Sequence, residues 1–128
     1  MALPTFTLES TIKSYPTFPY QTIKEAILGK KYTLSLTFIG TKRAQTLNQQ
    51  YRKKDYVPNV LSFPLDPSTG EVYICPAIAY PEAKDYFLTR EGYIAFLFIH
   101  GLLHLKGLDH SEEMERLERK YVKQFSIA

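Results

Sequence analysis

The 128-residue sequence has no tryptophan, one cysteine, two methionines and only three histidines. A lone thiol excludes an intramolecular disulfide. Cys75, beside Pro76 and after an apolar run, reads as a small buried residue rather than as a ligand or nucleophile. Long hydrophobic runs are missing too. The longest, Ile94 to Ile99, is far short of the roughly 20 residues that a bilayer span needs, so no membrane association is expected. The opening MALPTFTLES lacks a basic stretch followed by an apolar one and is expected not to act as a signal peptide, which leaves a cytoplasmic location as the default. Charge of one sign is in small excess: a net +3 permits a polyanionic partner without requiring one.

What is present is core material. Hydrophobic residues make up 45% of the chain, with ten tyrosines and eight phenylalanines, enough to fill one core and to exclude a disordered chain. Length and the lack of repeats or linkers predict a single domain over residues 1–128.

Along the chain, Thr5–Glu9 reads as a strand, and Tyr20–Leu28 as a helix stopped by Gly29. Tyr32–Gly40 alternates like a strand, and Thr41 is expected to cap a helix over Lys42–Tyr51. Pro58, Pro64, Pro67 and Gly70 are expected to break the chain around a short strand, Val60–Phe63. Val72–Cys75 is a second short strand, followed by a helix from about Ile78 to Leu88. Thr89 is placed to cap a helix in which Ile94, Leu97, Phe98, Gly101 and Leu105 share a side, with Gly107 at its end. Ser111 opens a last helix, where Met114, Leu117, Tyr121 and Phe125 recur at three- and four-residue steps.

All three histidines fall in HGLLHLKGLDH, residues 100–110. Positions four apart on a helix share a face, so His100 and His104 can direct imidazole nitrogens at one point. A turn at Gly107 can bring His110 back to the same point. Three nitrogens at about 2.0–2.1 Å leave one position of tetrahedral zinc open, the arrangement of catalytic rather than structural sites. Water bound there has a pKa near about 7, which points to hydrolysis. Nickel, copper and iron also suit imidazole ligands, and a His/Asp acid–base site without metal is the alternative on the residues alone. The spacing matches the metzincin frame H-E-x-x-H-x-x-G-x-x-H, except that Gly101 stands where a protease has its glutamate base.

The same residues resemble the signature of the YbeY family, metal-dependent endoribonucleases of bacterial ribosomal RNA maturation, which reads H-G-x-L-H-L-x-G-x-D-H. The likeness extends upstream through LNQQYRKKD, VPNVLSFP and GEVYICP, so that matches run from residue 47 to residue 110, with Pro58 where the family commonly has Thr and Glu71 where Asp is common. The resemblance implies an α+β fold, with one mixed sheet of about four strands packed with helices and a zincin-like metal site on a helix of the C-terminal half. It implies a zinc-dependent, single-strand-specific endoribonuclease acting in small-subunit (16S) rRNA 3′-end maturation and ribosome quality control. Ribosomal RNA and the small ribosomal subunit would be its partners, with no nucleotide cofactor. By the same likeness Arg52 corresponds to an arginine near the metal, where a guanidinium suits a phosphate in the transition state; read alone, Arg52 in YRKKD is a solvated charge.

Around this frame, Asp109 is expected to orient one of the imidazoles rather than to act as the general base. Lys42, Arg43, Lys53 and Lys54, with Arg52, can form a basic surface for an RNA backbone on which Tyr51 and Tyr56 stack unpaired bases; the same residues can equally be a solvated helix face and core aromatics. Ser62 is expected to satisfy strand backbone. Two rival readings are a metal-dependent hydrolase of another substrate and a ribosome-associated binding module with structural zinc. The second would require a fourth protein ligand.

Overall fold

Alternation sets the central strands. In β2, Thr33–Phe38, the side chains of Leu34, Leu36 and Phe38 are buried and those between them are not, the period-two pattern of a strand facing a core. β1 is Phe6–Ser10, β3 Val60–Asp66 and β4 Thr69–Ile74. In this computed structural model, which describes residues 3–128, they form one sheet in the order β1-β2-β4-β3. The first two residues of MALPTFTLES lie outside the described part. β1 and β4 run parallel to β2, while β3 pairs antiparallel with β4. The sheet is therefore mixed, as expected.

Among the described residues, five α-helices surround it: α1 Tyr20–Leu28, α2 Thr41–Arg52, α3 Pro76–Ala79, α4 Arg90–Leu105 and α5 Glu112–Gln124. One sheet face carries α1 and α4, where Ile23, Ile27, Phe98, Ile99 and Leu102 pack on Leu36, Val72 and Ile74. The other face carries α2, whose Ala44 and Leu47 meet Leu61 and buried Cys75. Helix α4 is apolar almost all round because it runs through the middle of the larger core, and each buried Leu, Ile or Phe there contributes about 1.5–3 kcal/mol. Among the described residues no helix is long and apolar enough to cross a membrane.

Several boundaries depart from the sequence reading. Thr41 is the first residue of α2 and Gly40 holds the capping position, with no side-chain cap bond. The expected helix over Ile78–Leu88 is instead the short α3 followed by a 3-10 turn over Tyr80–Tyr86. Pro81 lacks the N–H that would bond back to residue 77, which removes an α-type rung at that point. Pro64 and Gly70 do not break the chain; they face each other inside the β3–β4 hairpin. β3 is an edge strand, the place in a sheet where a proline is tolerated.

Candidate metal centre

The caps of α4 and α5 fix the site's scaffold. Thr89 Oγ1 accepts from Gly92 N–H at 3.0 Å, and Ser111 Oγ accepts from Met114 N–H at 3.2 Å, as the sequence predicts. The end of α4 is a Schellman turn: Leu108 N–H reaches the Leu103 carbonyl at 3.1 Å, and Gly107 N–H that of His104 at 3.0 Å. Gly107 takes φ +103°, which a side chain would resist. That turn brings His110 back beside His100 and His104, and one ligand nitrogen from each ring lies within 4.8 Å of the others.

The outward nitrogens of two rings have fixed identities. His104 Nδ1 is 3.0 Å from the Leu108 carbonyl, which can only accept, so this nitrogen carries the proton. His100 Nδ1 donates to the Glu118 carboxylate at 2.7 Å. With both protons assigned by their partners, the two Nε2 atoms are bare lone pairs in the neutral rings, yet they stand 3.1 Å apart. Two lone pairs facing at that distance repel unless a positive centre lies between them. Two nitrogens on one tetrahedral zinc stand about 3.3 Å apart, from bond lengths of about 2.0–2.1 Å. The donor set thus fits a divalent ion. His104 is also held below its ordinary pKa, first by burial and then by His100 beside it, which favours the neutral, ligating form.

Glu118 is the residue that the sequence reading missed. Asp109, expected to orient an imidazole, is exposed; only its backbone carbonyl is engaged, by Ser111 Oγ, and its carboxylate bonds to none of the three rings. The orienting carboxylate comes from α5, where Glu118 lies on the same face as Met114 and Tyr121. A charge set into that apolar stripe is the signal that was available.

Gly101 has a structural cause. A Cβ there would come within 2.8 Å of Ser62 Oγ and 3.3 Å of Val72 Cγ1, because α4 lies directly on β3 and β4. Ser62 Oγ donates to the Gly101 carbonyl at 3.0 Å, so it satisfies helix backbone across 39 residues of sequence rather than its own strand. A side chain where a metzincin has its base would have to displace the Ser62 hydroxyl and press on Val72.

A cleft of about 410 Å³ opens over the rings, walled by Arg52, Tyr56, Asn59, Ser62 and the three histidines. Arg52 is brought there by Asn48, which is fully buried at the last turn of α2. Asn48 Oδ1 accepts from Arg52 Nη1 at 3.1 Å, and Asn48 Nδ2 donates to the Tyr56 carbonyl at 2.9 Å; Tyr56 Oη accepts a second Arg52 bond at 3.2 Å. The turn between them needs Lys53 in the left-handed region, at φ 58°, where its N–H closes α2. Lys42, Lys53 and Lys54 are exposed and line no part of this cleft, while Arg43 and Tyr51 border a separate cavity with Phe63 and Tyr73. Of the basic and aromatic candidates, Arg52 and Tyr56 reach the site.

Known proteins resemble this chain along most of its length. The family profile described as endoribonuclease YbeY matches residues 5–126. A protein of that description from Alkaliphilus metalliredigens is 41% identical over 100 residues, covering 70% of this chain and 64% of its own length. Another from Stenotrophomonas maltophilia is 37% identical over 111 residues, covering 74% and 69%. The match thus spans less than two thirds of the first relative's own length. The solution structure of a Thermotoga maritima protein superposes with a TM-score of 0.62 at 29% identity, covering 94% of this chain and 88% of that one.

Proposed function

The chain belongs to the YbeY family of endoribonucleases, and from that premise we propose that it is a metal-dependent endoribonuclease cleaving single-stranded RNA, with the 3′ end of small-subunit (16S) rRNA in the cytoplasm as its target and the small ribosomal subunit as its partner. The observation that carries the reading is the pair of Nε2 atoms of His100 and His104, 3.1 Å apart with both Nδ1 atoms already engaged, beneath a cleft that also holds a guanidinium.

His100, His104 and His110 would hold the ion. Zinc is the first choice for three imidazoles with an open position, although other divalent transition metals bind the same set. When bound, such an ion supplies a Lewis acid and lowers the pKa of water. The chain's own groups do the rest. Glu118 and the Leu108 carbonyl hold the two imidazoles in the ligating tautomer. Arg52, tethered through one nitrogen, keeps its remaining donors for a phosphate and offsets the charge that builds on it in the transition state.

Neither rival finds equal support. A peptide hydrolase needs a base where Ser62 and Val72 press on Gly101. A structural zinc needs a fourth ligand, and among the described residues the cluster of potential ligands is the three histidines alone. The test compares metal-loaded, chelated and His100→Ala protein on single-stranded and duplex RNA. The loaded protein should cut single strands, and the other two should bind no stoichiometric metal and cut nothing. Full cleavage by metal-free His100→Ala protein would overturn the proposal.

A further inference from the structure

Asn59, Val60, His100 and His110 wall not only the metal cleft but also a second cavity, of about 330 Å³, on its other side. Its far wall is aromatic. Tyr86 stacks on Tyr93 with ring centroids 4.9 Å apart and planes 28° from parallel, and Tyr93 on Phe96 at 6.0 Å and 14°. Tyr86 also lies 5.8 Å from Phe96, so the three rings form a cluster in which Tyr93 is buried and Tyr86, 53% exposed, is the accessible member.

We propose that this second cavity is a nucleobase subsite, in which an unpaired base adjoining the cleaved phosphate stacks on Tyr86. The proposal rests on the nuclease reading above and names where the strand lies within that site. Three observations carry it. A flat ring added to an existing aromatic stack extends contacts already made, and every base has such a face.

Charge divides the two cavities in the sense that RNA requires. The metal cleft has the Arg52 guanidinium on its wall, while the second cavity is lined by no lysine or arginine and its one carboxylate, Glu118, is paired with His100 Nδ1. A phosphate finds a guanidinium only in the first, and an uncharged base needs none in the second. The strand therefore passes with its backbone over the Arg52 side and a base turned toward Tyr86.

The subsite is also held in shape before any ligand arrives. Glu82, from the 3-10 turn, accepts with one oxygen from Asn59 Nδ2 at 2.8 Å and from Tyr93 Oη at 3.1 Å. One carboxylate thus ties the loop before β3 to α4 and orients the Asn59 amide on the shared wall. Asn59 Oδ1 has no hydrogen-bond partner among the described residues, and it is the acceptor available to a base N–H.

The experiment measures binding of a fluorescent single-stranded hexaribonucleotide to metal-loaded full-length protein, beside cleavage of the same strand. A matched strand lacks the one base that flanks the cleavage site. Tyr86→Ala should weaken binding of the intact strand about tenfold, the scale of one lost base–aromatic stack, with metal content unchanged. Tyr86→Phe should bind as the unsubstituted protein does, and Phe87→Ala, an exposed neighbour that lines neither cavity, should change nothing.

The unsubstituted protein should lose the same factor on the abasic strand, and Tyr86→Ala should lose nothing further. Equal binding of intact and abasic strands, additive losses, or no binding of either strand would overturn the subsite. Base-dependent binding without cleavage would uphold the subsite and sink the nuclease reading. Cleavage without base dependence would do the reverse.

Discussion

Glu118 on α5 lies 2.7 Å from Nδ1 of His100 on α4, so a helix that supplies none of the three candidate ligands sets the tautomer of one of them. Removing an acceptor of this kind costs about 10–100-fold in metal affinity. Glu118→Ala should therefore lower zinc affinity within that range, measured by competition with a chromophoric chelator, while the far-ultraviolet circular dichroism stays unchanged. Unaltered affinity would show that the Glu118 contact does not govern the site.

Gly101 invites the opposite experiment, restoring the glutamate of a metzincin. A side chain at 101 meets Ser62 Oγ at 2.8 Å and Val72 beyond it, so Gly101→Glu should destabilise by about 3 kcal/mol, through overpacking and burial of a charge, and gain no peptidase activity. Chemical denaturation reads the first, and cleavage of a labelled peptide the second. A stable, proteolytic variant would mean that the close approach of α4 to the sheet is wrong.

Arg52 and Asn48 should separate chemistry from positioning. Arg52→Ala should reduce kcat for RNA by about 10²–10³-fold with metal content intact, the scale of one lost transition-state donor. Asn48→Ala frees Arg52 and leaves the Tyr56 carbonyl unpaired, so it should lower stability by about 1–3 kcal/mol as well as activity. Depleted metal in Arg52→Ala protein would assign the arginine a structural role.

In metal-free protein His104 titrates below its ordinary value of 6.5, because burial and His100 disfavour its charge. The unfolded chain then holds more protons than the folded one just under that pH, so stability is complete above the window and is lost as pH falls through it. The Tm of stripped protein should drop on acidification from about 7 toward 5, and His104→Gln should flatten the drop. Equal slopes would contradict the assignment.

How much of this the sequence disclosed follows from the range of the interactions. Thr89, Ser111 and Gly107 act within one helical turn of themselves, so both caps and the bend were legible, and with them the three histidines. The 3-10 turn at Pro81 was legible in principle, since a missing donor is a local fact. The continuity of β3 through Pro64 was not, because it depends on β3 being an edge strand. Glu118, Ser62 and the aromatic wall at Tyr86 act across 18 residues or more, or through cavities that exist only once α4, α5 and the sheet have packed. Asn48 sat in plain view in LNQQYR, and its pairing with Arg52 follows from helical spacing, but its bond to the Tyr56 carbonyl required the left-handed turn at Lys53.

The most direct measurement is X-ray absorption at the zinc edge on metal-loaded protein in solution, with metal content determined on the same sample. One ion per chain, with three imidazole nitrogens at about 2.0–2.1 Å and at least one exchangeable oxygen from solvent, is the predicted result. A fourth ligand from the protein, or substoichiometric metal that His100→Ala leaves unchanged, would contradict a solvent-open site built on His100, His104 and His110.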